Sequence, residues 1–468
     1  MLSSLLNTNE KYFCDYTVSG FIFSMFASLK TNKKAMQKIG IRYEDKYVME
    51  RRVALVPAHV RELQEKGIEF EVVKSAKRIF KDEEFADAGA ELVDEITDSG
   101  VVIGVKEMPL DYFKENKTYI FFSHTIKGQE YNMPLLKNMM ESKMNLVDYE
   151  KIANDKGQRL IFFGRFAGLA GMINSLWSLG QRWKEQGIET PFTQITQTHH
   201  YNSLEEAKEV VKRVGEEIKK NGLPPEIAPI VVGITGYGNV AQGAQEILEL
   251  LPVKEITPAE LLQLSDEEKQ GGKLIYKVVF KEEHLSKPLE ADKEFVLQEY
   301  YDHPERFESQ FEQYIQHLTI LMNCMYWDDN YPRIVTKDYL EKLYKNGNPK
   351  LAVIGDVTCD PDGSIECTHK GTEIEDPVFV YNPFTRKPTM GFKGEGVLVM
   401  AVDILPSELP RESSQTFSDA LVGFIPEIAA ADYNTSFEKL DIPAPIKRAM
   451  ILFKGELTPD YKYLEEYV

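Results

Sequence analysis

Three features of this sequence predict an α/β fold with two Rossmann-like, doubly wound parallel-sheet domains and an interdomain cleft. Short β-branched and apolar runs alternate with helical periodicity along most of the chain, the pattern of strands joined by crossover helices. One run, Ile230 to Ile234, ends at Gly236-Tyr237-Gly238-Asn239-Val240-Ala241, after which small and apolar residues recur at helical spacing to Leu251. At 468 residues, 43% hydrophobic and 28% charged, the chain is long enough to build two such domains.

Taken in order, residues 1–37 differ from the rest of the chain and are expected to be a disordered extension. Their apolar patch, Phe21 to Phe26, has its lysines after it, the wrong side for a secretory signal, and the segment is not arginine-rich like a mitochondrial presequence. Lys38 to Arg42 reads as the first strand, Ala58 to Lys66 as a helix stopped by Gly67, and Ile68 to Val73 as the next strand. Phe80 to Ala88 reads as a short helix. Strands at Val101–Val105 and Tyr119–Phe122 deliver Lys106-Glu107 and Ser123-His124 to their carboxyl ends, where ligands of doubly wound sheets gather. A helix around Met133–Ser142, a strand Met144–Val147 and a further strand Arg159–Phe163 lead into a long helix from Gly164 to about Gln186, whose small residues permit close packing. Leu204–Lys220 is an amphipathic helix with a solvated face. The polar stretch 264–299 reads as an insertion with its own strand, Leu274–Phe280. The divisions expected are 38–163 with 371–468 as a discontinuous substrate domain, and 164–370 as a dinucleotide-binding domain.

The segment around the glycines is chemically specific. Gly236 permits a tight turn, Gly238 lets backbone approach a pyrophosphate, Asn239 and Val240 open the helix whose N–H groups would hold the phosphates, and Ala241 lets that helix pack on its strand. A site for NAD places an acid about twenty residues beyond the first glycine, at the end of the second strand. Here that strand reads Val253 to Thr257; Glu255 falls before its end, and Thr257 stands where the acid would be. The missing acid favours NADPH over NADH.

Composition excludes other classes. A net charge of -19 without a Lys/Arg block argues against nucleic acid, and no apolar run is long enough to span a bilayer. Cys14, Cys324, Cys359 and Cys367 lack zinc spacing and suggest a reducing compartment, cytoplasmic with the mitochondrion as the alternative. His199-His200 has no third ligand at sensible spacing, so no metal site is expected.

Several motifs appear in an order that resembles the alanine dehydrogenase and transhydrogenase superfamily. They are Glu50-Arg51-Arg52-Val53-Ala54-Leu55-Val56-Pro57, Gly104-Val105-Lys106-Glu107-Met108-Pro109, Phe122-Ser123-His124, Phe163 to Gly168, and the glycine turn. Within it, Phe121 to Lys127, Tyr149-Glu150-Lys151, Gly168 to Asn174, Asp302 to Arg306 and Gly363 to Glu366 are similar to the lysine-2-oxoglutarate reductase branch, the saccharopine-forming half of bifunctional aminoadipic semialdehyde synthase. The resemblance covers about residue 38 to the end and implies NADPH-dependent condensation of L-lysine with 2-oxoglutarate to saccharopine by a free-standing reductase. It leaves room for a homo-oligomer and for a separate saccharopine-cleaving dehydrogenase. It also implies roles: Lys106 and His124 as the acid/base pair, Arg52 as the grip on a substrate carboxylate with Arg42 as a second candidate, and Asp356 and Asp360 beside the nicotinamide, with Asp360 preferred as catalytic. Glu107 and Glu150 would attract the cationic end of lysine. Singly, such residues are more often a surface lysine, a core histidine or a salt-bridge carboxylate; their joint position at strand ends favours function. The rivals are another amino or imino acid dehydrogenase and a ligand-binding homologue without turnover.

Overall fold

The apolar runs become strands of two to six residues. Ile39–Ile41 (β1), Phe70–Val73 (β2), Glu91–Val93 (β3), Val101–Ile103 (β4), Thr118–Phe121 (β5) and Asn145–Asp148 (β6) build the first sheet. Ile230–Thr235 (β7), Val253–Glu255 (β8) and Ile275–Phe280 (β9) begin the second, Ser286–Pro288 (β10) and Phe307–Ser309 (β11) form a separate antiparallel pair, and Ile320–Asn323 (β12), Val353–Asp356 (β13), Val378–Asn382 (β14), Lys387–Met390 (β15) and Val397–Met400 (β16) complete the second sheet. The chain then returns to the first sheet with Met450–Phe453 (β17) and Glu456–Leu457 (β18). This computed structural model describes residues 36–264, 272–347 and 349–468. The expectation for residues 1–35, and that part of the 264–299 insertion falling on 265–271, lie outside them. Gln37–Val468 form a single compact unit.

Each sheet has eight strands. The first runs β18-β17-β6-β5-β4-β1-β2-β3 and the second β15-β14-β16-β13-β12-β7-β9-β8. Both are parallel through their centres and end in antiparallel strands, β17 and β18 on one, β14 and β15 on the other. In each, the strand order reverses direction beside the first strand, at β1/β4 and at β7/β12, which opens a crevice at the carboxyl ends. Among the described residues no helix is long and apolar enough to cross a membrane.

The long helix Gly164–Glu185 forms as expected and lies in the core of the second sheet, from Phe166 to Trp183. Its small residues serve one crossing: a Cβ on Gly168 would stand 1.9 Å from the Val240 carbonyl oxygen, and one on Gly243 would stand 2.1 Å from that of Arg165. Only glycine lets this helix touch the helix Asn239–Leu248 that succeeds the glycine turn.

Three expectations are corrected. No strand forms at Arg159–Phe163; Arg159 makes a lone antiparallel bridge to Ala153, closing a hairpin over Asn154–Gln158. Leu274–Phe280 is not the strand of a side insertion, because β9 lies between β7 and β8 and pairs with both in parallel. The polar residues before it conceal a strand that belongs to the sheet. The boundary at 371 also moves: β13 pairs with β16 and β16 with β14, so the second sheet keeps the chain to Met400. Ile404, Leu405 and Leu409 still pack in its core, whereas Phe417 and Leu421 pack under the first sheet, which puts the return near Pro410.

Candidate active site

The carboxyl ends of the two sheets supply the candidate residues. Loops after β1, β4, β5 and β6 carry Arg52, Lys106 with Glu107, His124, and Glu150; loops after β13 and β16 carry Asp360 and Asp403. All of them line one cavity of about 470 Å³. Residues from both ends of the chain thus meet because each comes after a buried strand of three or four residues.

Two pairs organise the first-sheet side. His124 Nδ1 lies 2.6 Å from Glu107 Oε1, which also receives the Lys46 ammonium at 2.7 Å. Burial would raise the Glu107 carboxyl, but His124 and Lys46 outweigh it and hold it down at about 2. An ionised Glu107 fixes the tautomer with Nδ1–H donating and presents Nε2 for chemistry. His124 adopts φ 54°, a left-handed conformation costing a non-glycine residue about 1–2 kcal/mol, and its carbonyl accepts from Asn132 Nδ2 at 2.8 Å. In the second pair, Arg52 donates from Nε and Nη2 to Glu50 at 2.8 and 2.5 Å, while Ser407 Oγ donates to the same carboxylate at 2.9 Å. The guanidinium lies 4.2 Å from the Phe163 ring centroid. Glu50 occupies one edge of the fork, which leaves the other edge for a substrate carboxylate.

Lys106 sits between these pairs. Burial first, and Arg52 second, lower its pKa against the pull of Asp403, Glu50 and Glu107. Its backbone N–H and that of Val105 donate to the buried Glu44 carboxylate at 2.8 and 2.7 Å, which fixes the loop. Burial pushes Glu44 up to about 7. The Lys106 ammonium stands 5.7 Å from the Tyr47 ring centroid, and Tyr47 donates to Asp403 at 2.9 Å, joining the first-sheet side to the second. Asp360 faces the cavity with its carboxyl raised by burial and then by Asp356.

On the second-sheet side the turn is built as the spacing predicts. Gly236 has φ +84° and donates to the Phe280 carbonyl at 2.9 Å, tying the turn to β9. Gly238 caps the helix Asn239–Leu248, and a Cβ there would meet nothing within 4 Å, so the space before the helix N-terminus is open to a pyrophosphate. Ala241 is fully buried beneath. This donor set fits a dinucleotide.

Three expected residues lie elsewhere. Arg42 is buried below the cavity, paired with Asp45 at 2.7 Å and 4.6 Å from the Tyr112 ring centroid, so it holds the β1 loop rather than a ligand. Asp356 is enclosed by the Asn323 amide and the Thr358 and Thr368 hydroxyls and does not line the cavity. Thr257 caps the short helix Pro258–Leu262 in a box with Glu260, after the edge strand β8. Because β9 takes the place beside β7, the residues beyond the neighbouring strand are Lys281 and Glu282. Glu282 accepts from Tyr301 at 2.8 Å and from Tyr237 of the glycine turn at 3.4 Å. Sequence reasoning assigned no role to Glu44, Lys46, Tyr47, Glu50 or Asp403. Asp403 alone carried a usable sign, an acid directly after the apolar run Val397–Val402.

Two doubly wound sheets facing across a cleft, with a glycine turn on one side and a Lys/His/Arg constellation on the other, define the two-domain architecture of nicotinamide-dependent dehydrogenases. The chain belongs to the alanine dehydrogenase/PNT family: residues 40–170 match its N-terminal domain and 282–459 its C-terminal domain. The glycine turn falls between the two matches and stands on its own geometry. The chain is 40% identical to alpha-aminoadipic semialdehyde synthase of Arabidopsis thaliana over 91% of its length and 41% of the plant protein's. It is 34% identical to the mitochondrial enzyme of that name in Mus musculus, over 92% and 47%. It therefore spans under half the length of these relatives. The NAD(+), L-lysine-forming saccharopine dehydrogenase of Emericella nidulans is 29% identical over 82% of this chain and 90% of that one. Among solved structures, an L-alanine dehydrogenase shares the fold with a TM-score of 0.58 at 18% identity, over 92% of this chain and 100% of that one.

Proposed function

We propose that this protein catalyses the NADPH-dependent reductive condensation of L-lysine with 2-oxoglutarate to saccharopine, the first step of a lysine breakdown route. The carrying observation is the cavity in which Lys106, the His124–Glu107 pair and the free edge of Arg52 converge with Asp360 and Asp403 of the second-sheet side. Similarity to an alpha-aminoadipic semialdehyde synthase and to an L-lysine-forming saccharopine dehydrogenase supports the choice of substrates. A reducing compartment, cytoplasmic or mitochondrial, suits the buried free thiols Cys324, Cys359 and Cys367.

The reaction joins the side-chain ammonium of lysine, the ketone, a hydride and one proton, giving a secondary ammonium and water. Arg52 holds a carboxylate of the keto acid, its orientation set by Glu50 and Phe163. Lys106, with its lowered pKa, takes the proton that frees the attacking amine. His124, braced by Glu107, protonates the departing oxygen of the carbinolamine. Asp360 lines the same cavity, and its carboxylate balances the cationic imine. The bound nicotinamide supplies the hydride. Lys281 offers the 2′-phosphate a counter-charge, while Glu282 is engaged by the two tyrosine hydroxyls.

The test is NADPH oxidation followed by absorbance with both substrates, beside single-substrate, ammonia and NADH controls, in wild type, Lys106→Met and His124→Gln. Oxidation that needs both substrates and falls by about 100-fold or more in each variant is expected. Oxidation with ammonia and a keto acid alone would move the protein to the alanine dehydrogenase type, and cofactor binding without turnover to a ligand-binding role.

A further inference from the structure

At the opposite edge of the second sheet lies another cavity, of about 680 Å³, a size usual for small-molecule sites. It opens at the amino ends of the strands: Ala228 leads into β7, Thr319 into β12, Ala352 into β13 and Gly396 into β16. The six residues of β7 separate it from the glycine turn by about 20 Å, so it is distinct from the cofactor's crevice. Its lining contains a buried cation. Arg182, 5% exposed in the last turn of the long helix Gly164–Glu185, donates from Nη1 to the Phe392 carbonyl at 2.6 Å and from Nη2 to those of Gly394 and Gly396 at 2.8 and 3.0 Å. These bonds take three of the five N–H donors of a guanidinium. Among the described residues no carboxylate pairs with it, and Glu185, close in sequence, pairs with Lys393 at 3.6 Å. Burial lowers the pKa of Arg182 more than Tyr344 and Glu185 raise it, as befits a charge taken from water without a counter-ion. The other charged residues of the lining, Glu226, Lys350 and Glu395, are exposed. The long helix and the helix Lys337–Lys345 both end here, with Gln186 and Gly347 in the lining, and helix carboxyl ends favour positive charge.

From this geometry we infer that the cavity is a binding site for a free α-amino acid with an apolar side chain, its carboxylate on Arg182, its ammonium by Glu395 and the helix ends, and its side chain against Trp183 and Ile227. A buried guanidinium with donors to spare and no counter-ion calls for a planar anion, which a carboxylate supplies. The remaining charges select against a dianion such as phosphate, because Glu226 and Glu395 outnumber Lys350. They suit a ligand that carries a positive charge beside its negative one. Glu395 stands between Gly394 and Gly396, the two residues whose carbonyls share Arg182 Nη2, so the loop holds an acid next to the buried base. The Tyr344 hydroxyl is close enough to feel both charges. An α-amino acid sets its carboxylate and its ammonium on neighbouring carbons and matches that arrangement. The site is separate from the catalytic cavity and does not depend on the condensation proposed above.

The test is a ligand-observed NMR titration of the whole protein with L-leucine and L-phenylalanine. Beside them run 4-methylpentanoate, which is leucine without its ammonium, and 3-methylbutylamine, which is leucine without its carboxylate. A Kd of about 1 mM or tighter is expected for at least one of the two amino acids, with each analogue about 10-fold weaker than leucine. Arg182→Gln should weaken amino-acid binding about 10-fold or more. Because that substitution also releases the loop carbonyls, Glu395→Gln, at an exposed side chain, supplies the reading that folding does not affect. It should weaken the amino acid about 3- to 10-fold and leave 4-methylpentanoate within about twofold. Arg52→Lys, in the catalytic cavity, should leave amino-acid binding within about twofold. Loss of binding in Arg52→Lys would place the amino acid in the catalytic cavity and overturn the inference. So would absence of binding up to about 10 mM, equal affinity for leucine and 4-methylpentanoate, or indifference to both Arg182→Gln and Glu395→Gln.

Discussion

Replacing Glu107 with glutamine tests the pair on which the acid/base assignment leans. The glutamine keeps the size of the side chain and removes the charge that His124 and Lys46 face at 2.6 and 2.7 Å. A carboxyl moved from 4.5 to about 2 corresponds to about 3 kcal/mol of preference for its ionised form in the folded state. Glu107 is 10% exposed, so solvent screens little of this. Because the folded value lies below the unfolded one, the contribution is fully present above about pH 4.5 and fades as the pH falls towards about 2. Urea unfolding of wild type and variant should therefore differ by up to about 3 kcal/mol near neutrality, and the gap should narrow at about pH 3. Activity should fall about 10- to 100-fold in kcat/KM, the worth of a hydrogen bond to a charged group, with cofactor affinity unchanged. A stability gap independent of pH, or one below about 1 kcal/mol at neutrality, would refute the view that Glu107 is ionised and paired.

Other substitutions read other parts of the site. Gly168→Ala places a methyl against the Val240 carbonyl and should cost about 3 kcal/mol, seen as a lowered Tm and weaker cofactor binding, since the crossing carries the helix behind the glycine turn. Arg52→Lys keeps the charge but loses the planar fork, so the KM for 2-oxoglutarate should rise about 10- to 100-fold while NADPH affinity holds. Glu282→Gln should raise the NADPH to NADH ratio of kcat/KM by about 10-fold, and Lys281→Met should lower it by a similar factor; opposite signs would place cofactor discrimination elsewhere.

What the sequence displays and what it hides divide along a physical line. Lys106, His124 and the glycine turn were legible because each comes directly after a buried apolar run, and a parallel sheet sends every such position to one face. Asp403 has the same local sign after β16 and was open to the same reasoning. Glu44 and Glu50 were not, because their work is to accept backbone and guanidinium donors that the fold alone brings within reach. Arg42 shows the converse: three residues before Asp45 and directly after β1, it has the placing of a ligand residue, yet its side chain turns inward onto Tyr112. Thr257 departs from its expected place for a different reason. The next strand in sequence is not the next strand in space: β9 lies between β7 and β8, so the residues that come after the neighbour of β7 are Lys281 and Glu282 rather than Thr257. Strand order is settled by which runs bury best against β7, and β9 pairs with it over six residues. Edge strand β8 pairs over three, with Lys254 and Glu255 exposed, as suits a position that one side of the sheet leaves open to water.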